Sequence, residues 1–119
     1  MDGIFFDDCS NTYTSKNYAY YKNVTTTAKQ TYGFGHVLLN SGANVDSRYF
    51  ALADEIIVFE DYYSNYNDDI PFNTPQQYWN QSTLLIHHFN DTGDRQQQII
   101  DNLMYVLSSL PYLCHTRTD

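Results

Sequence analysis

Five short apolar runs, each closed by polar residues, limit what this chain can fold into. They cover residues 3–6 (before Asp7 and Asp8), 36–39 (before Asn40), 55–59 (before Glu60), 84–86 (before His87 and His88) and 112–114 (before His115 and Thr116). Runs this short and unbroken, rather than alternating, fit strands buried on both faces of a parallel sheet. Helical periods fill the gaps. Tyr18, Tyr21, Val24, Ala28 and Tyr32 recur at spacings of three and four, as do Ile99, Ile100, Leu103, Leu107 and Leu110 after a start signal at Asp91-Thr92. A shorter helix is expected over 47–53, capped by Asp46. The runs start 33, 19, 29 and 28 residues apart, the rhythm of a βα repeat of about 30 residues. No linker divides the chain, so residues 1–119 read as a single α/β domain.

The polar closures carry the functional signal. In an α/β barrel the active site forms at the carboxyl ends of the strands and on the loops that follow. Five chemically capable endings in the same register place Asp7, Asp8, Asn40, Glu60, His87, His88, His115 and Thr116 at one end of such a sheet.

Composition removes several alternatives. Six Lys and Arg against 14 Asp and Glu give a formal charge of −8. Nucleic acids and anionic membranes both require clustered cations, so neither is expected as a partner. No apolar run approaches the roughly 20 residues of a membrane span. Asp2, Asp7 and Asp8 stand where a basic and then apolar leader would lie, so no signal peptide is expected in this chain. Three sequons, at Asn23, Asn80 and Asn90, would be glycosylation acceptors in a secreted protein. Cys9 and Cys114 are too few for a disulfide framework or a metal knuckle and read as free or buried thiols.

The segments DGIFFDD, GHVLLNSG, YFALADEIIVFEDYYSNY and LLIHHFND together resemble the spherulation-specific family 4 (spherulin-4-like) proteins. The resemblance covers nearly the whole chain, in order. It implies secreted or cell-surface (β/α)8 barrels, similar to fungal glycoside hydrolases that cleave galactosamine-containing exopolysaccharide. It also implies that Asp7, Asp8 and Glu60 are the active-site acids, with no metal or other cofactor. In the family the first of these strands is about the fourth of eight, so the chain matches strands four to eight of an incomplete TIM barrel. Met1 stands where the family often has Val. The expectation is therefore the C-terminal part of such an enzyme, inactive by itself and able to self-associate through open barrel edges. Two departures bear on activity. Asp8 replaces a Glu, and a carboxylate moved by about 1 Å can cost roughly a hundredfold in rate. Asn40-Ser41-Gly42 replaces Asn-Pro-Gly, which is expected to loosen that loop.

Glycoside hydrolysis needs one protonated carboxyl for the leaving group and a second group that attacks or stabilises the sugar centre or activates water. Glu60 follows an apolar run whose walls would favour its protonated form, so it is the expected general acid. Asp7 and Asp8 would share the remaining work, their division left open, while the bland alternative is a turn or helix cap. Asn40, Tyr62, Tyr63, His87 and His88 are the expected substrate contacts. Asn40 would hold a sugar hydroxyl or an acid side chain or else form the turn before Ser41-Gly42, and the histidines would touch substrate or make core hydrogen bonds. Alternation along a strand should send His87 and His88 to opposite faces, which gives no convergent metal site. Tyr66, Tyr78 and Trp79 suit either sugar stacking or packing over a rim. Asp54 precedes a strand and reads as structural. The rival reading is a non-catalytic glycan-binding surface or spore-coat protein on the same fold. A small doubly wound binding domain is disfavoured, because no phosphate-cradling glycine loop follows a strand.

Overall fold

The computed structural model of the chain describes residues 2–108, so the fifth run, with Cys114, His115 and Thr116, lies outside the described residues. Strands β1 (Gly3–Phe6), β2 (His36–Asn40), β3 (Glu55–Tyr62) and β4 (Ser82–His87) form one sheet in the order β1-β2-β3-β4. Every pairing is parallel, which brings all four carboxyl ends to one edge. Helix α1 (Ser15–Gln30) joins β1 to β2, a 3-10 turn at Ser47–Ala51 joins β2 to β3, and α2 (Gly93–Ser108) follows β4. The architecture is mixed α/β on a parallel sheet.

Local chemistry accounts for these elements. The Thr14 hydroxyl accepts from the Asn17 N–H and caps α1. Thr25 and Ala28 are the buried residues of the helix, while Tyr32 lies past its end and is exposed. Asp46 caps the 3-10 turn by accepting from the Arg48 N–H, and Thr92 accepts from the Arg95 N–H at the start of α2. Gly3 is required at the foot of β1, where a Cβ would lie 3.0 Å from the His36 carbonyl oxygen.

One face of the sheet packs on the helices. Val37, Leu39, Ile56 and Val58 are buried against Ala28, Tyr49 and Phe50. Burying such a face is the dominant favourable term in a fold of this kind, at about 25 cal/mol per Å² of apolar area removed from water. The other face differs from the expectation of strands buried on both sides. Phe5 is 51% exposed and Leu85 40%, because β1 and β4 flank the sheet and only the helix face is covered there.

The structure also lengthens β3. The expected strand ended at Phe59, whereas the observed one continues through Glu60 to Tyr62. A β-bulge makes this possible. Ile57 pairs with Thr83 and Phe59 with Leu84, so Val58 is left without a counterpart on β4. Strict alternation would put Glu55 and Glu60, five residues apart, on opposite faces. The extra residue resets the alternation. Glu55 bonds His36 and Thr83, and Glu60 bonds Asn40, all on the face away from α1.

Candidate active site

Three strand ends converge on one amide. Asn40, the last residue of β2, is 6% exposed. Its Nδ2 donates to Asp7 Oδ1 at 2.8 Å and to Glu60 Oε2 at 2.6 Å. Two oxygens bound to one nitrogen lie no further apart than the sum of those bonds, about 5.4 Å. Asp7 Oδ1 also accepts the Asp8 backbone N–H at 2.9 Å. Asp7 and Glu60 are exposed, so the described residues put no apolar wall around Glu60. The bulge has turned it toward the open face instead of leaving it at the end of a buried run.

Asp8 has φ 54°. Aspartate tolerates this left-handed backbone better than most residues. The turn aims the Asp8 N–H at the Asp7 carboxylate, and Asp8 itself is exposed. Directly behind the turn, Cys9 is buried and free, its thiol donating to the Phe6 carbonyl at 3.3 Å. Burial pushes that thiol up from its ordinary range, and the charges of Asp7 and Asp8 add to the effect.

Backbone bonds hold the loop after Asn40 against β3. Ser41 and Gly42 both donate their N–H groups to the Ile57 carbonyl, at 3.3 and 3.1 Å, and the Glu60 N–H donates to the Gly42 carbonyl at 3.0 Å. Gly42 has φ 62°, the conformation that makes glycine the favoured residue there.

The aromatic and histidine candidates divide. Tyr62, half exposed, packs its ring against His87 and His88 with centroids 4.6 and 4.5 Å apart. The two histidines therefore share a side, contrary to strict alternation, because His88 takes φ 54° immediately after β4. Their Nδ1 atoms are 2.7 Å apart, so one donates to the other. Tyr63 serves the scaffold: its hydroxyl donates to Asp91 Oδ2 at 2.7 Å and accepts from Arg95 Nε at 3.2 Å. That hydroxyl, with the Thr92 N–H, holds the Asp91 carboxyl below the usual carboxylate range. Tyr66 is buried, Tyr78 stacks on Phe50 with centroids 4.5 Å apart, and Trp79 donates to the Thr74 carbonyl. Tyr78 and Trp79 precede β4, at the opposite end of the sheet from the acids. Asp54 is structural as expected, accepting from the Val37 N–H at 2.7 Å and pairing with Lys29 at 2.8 Å.

A separate cavity of about 310 Å³, lined by residues that include Gly42, Phe59, Asp61, Ile70 and Thr74, contains none of the three central side chains. The sequence reading missed the bulge, the left-handed turns at Asp8 and His88, and the polar group formed by His36, Glu55 and Thr83. An acid five residues after another on one strand was the available clue to the bulge. Among the described residues no helix is long and apolar enough to cross a membrane.

Comparison with known proteins gives a consistent picture. The sequence model of the spherulation-specific family 4 matches residues 1–119. Spherulin-4 of Physarum polycephalum is 35% identical over 65 residues, covering 55% of this chain and 19% of that protein. The crystal structure of Aspergillus clavatus Sph3 in complex with GalNAc superposes with a TM-score of 0.79 at 28% identity, over 88% of this chain and 45% of the Sph3 chain. The matched part thus spans about a fifth of the length of spherulin-4 and under half that of Sph3.

Proposed function

The chain belongs to the spherulation-specific family 4, and from that premise we propose that it forms the acid-bearing side of a glycoside hydrolase barrel acting on galactosamine-containing polysaccharide. The observation that carries this reading is the Asp7–Asn40–Glu60 group, held at the carboxyl ends of three adjacent parallel strands. The parent fold on this reading is a (β/α)8 barrel of which these strands are the middle part, in a secreted or cell-surface protein. Hydrolysis is proposed for the molecule in which the rest of that barrel is present, since the chain covers 45% of Sph3. GalNAc, the ligand named with Sph3, indicates the sugar class.

The hydrogen bonds suggest a division of labour. Asp7 Oδ1 receives two N–H donors, which leaves its Oδ2 to face the sugar as nucleophile or stabiliser. Glu60 receives one donor, on Oε2, so Oε1 can present a proton to the leaving oxygen. Carboxyls of retaining glycosidases stand about 5–5.5 Å apart and those of inverting ones about 6.5–9.5 Å. One shared amide keeps an oxygen of Asp7 within about 5.4 Å of an oxygen of Glu60, which favours the closer, retaining arrangement. Asp8 acts through its N–H on Asp7. Tyr62, His87 and His88 form the platform for a sugar ring, its apolar face stacking on Tyr62.

The test is Glu60→Gln, in the chain joined to the amino-terminal half of a matching relative. A hydrolase loses turnover on a galactosamine-containing polymer and keeps binding it. A glycan-binding protein of the same fold has no turnover to lose.

A further inference from the structure

Asn40 was expected to touch substrate, yet both of its N–H groups are spent on the two acids. Its Oδ1 is buried and has no hydrogen-bond partner among the described residues. Buried polar atoms without partners are rare, and each asks for a cause. Flipping the amide gives no relief. It would place Oδ1 between the oxygens of Asp7 and Glu60, where a single proton on the pair could satisfy only one of the two contacts. The carboxylates therefore fix the amide, and the orphaned oxygen is the consequence.

We propose that Asn40 is a positioning residue that sets the spacing of Asp7 and Glu60 and decides which of their oxygens can carry a proton. An amide nitrogen only donates. Asp7 Oδ1 and Glu60 Oε2 must both accept from it, so neither can hold a proton on the lone pair it uses there. A proton on the pair is directed to Glu60 Oε1 or Asp7 Oδ2, the oxygens with no bond to the amide. The backbone reinforces the arrangement. The Asn40 carbonyl accepts from the Cys9 N–H at 2.7 Å, locking β2 to the turn that carries Asp7 and Asp8. The Gly42 carbonyl holds the Glu60 N–H on the other side. Asn40 is thus fixed to both strands whose acids it joins. The spacing and the bonds belong to the chain alone, while their catalytic use rests on the hydrolase reading above.

Two measurements test the proposal, and the first needs no activity. In proton–nitrogen spectra of the full chain, the two Asn40 side-chain amide protons should respond separately. Asp7→Asn shifts one of them and Glu60→Gln the other. If neither substitution moves either proton, the amide does not bridge the acids and the proposal is overturned, whatever the protein hydrolyses. The second uses the joined, active form. Asn40→Leu should lower kcat by about a hundredfold, the scale of a 1 Å misplacement, leave KM within about twofold and hold the melting temperature. A sugar contact would raise KM instead, and a purely structural amide would lower the melting temperature along with kcat. Either result overturns the assignment. Absence of turnover in the unsubstituted form defeats the hydrolase reading and leaves the spectra to decide whether Asn40 bridges the acids.

Discussion

At the scale of single residues, the acids and their partners do separate jobs. Asp7, Asn40 and Glu60 could be picked from the sequence because each closes an apolar run. What each side chain touches could not, since it depends on backbone turns of one residue: φ 54° at Asp8 and His88, φ 62° at Gly42. Gly42→Ala should destabilise by about 1–2 kcal/mol, the cost of a left-handed backbone for a residue with a Cβ. The added Cβ meets the Glu60 Cβ at 3.8 Å, an ordinary contact, so the loss is conformational. An unchanged urea midpoint would refute this. Asp54 supplies a pH prediction. Burial raises its carboxyl, but the Lys29 ammonium and the Val37 N–H outweigh that and leave it below its usual value. A depressed carboxylate adds stability that is fully present above the unfolded value of about 4 and is lost as pH falls through the folded one. Asp54→Asn should therefore flatten the fall in melting temperature below about pH 4, and an identical acid limb would count against the pair. Cys9, buried and raised, should react with iodoacetamide at pH 7 far more slowly than a free peptide thiol.

Among the elements, the strands were legible and their ends were not. Unbroken apolar runs identify buried strands, but they conceal period-two alternation, so nothing in Ile56-Ile57-Val58-Phe59 announces that Val58 is extra. That one residue carries Glu60 onto the face of Asn40. Helix α2 starts at its expected signal, but α1 ends before Tyr32, Ile100 of α2 is exposed, and Leu110 lies outside the described residues. The tyrosine-rich composition has an explanation at this scale. The loop between β1 and α1 is held by side chains from other elements. Tyr21 accepts from the Ser10 N–H at 2.9 Å, and Tyr49 donates to the Thr12 carbonyl at 2.8 Å. Their rings pack edge to face, with centroids 5.8 Å apart. Tyrosine fills the space and reaches the loop backbone at once. Tyr21→Phe should cost about 1 kcal/mol and speed hydrogen exchange at the Ser10 amide. Exchange as slow as in the unsubstituted protein would show that the loop is held by other contacts.

Across the whole molecule, parallel pairing makes the site. It gathers the ends of β1, β2 and β3 at one edge, where an acid, an amide and a second acid become neighbours although 33 and 20 residues separate them along the chain. The order of the strands was readable from the repeat spacing, whereas the close approach of the two acids required the bulge. The central claim is that Asp7 and Glu60 stand close enough, under one amide, for a double displacement at a sugar carbon. The most direct measurement is the anomeric configuration of the first product released from a GalNAc-containing polymer, followed by proton NMR in the joined form. The account predicts release with retained configuration. Release with inversion, or no release at all, would contradict it.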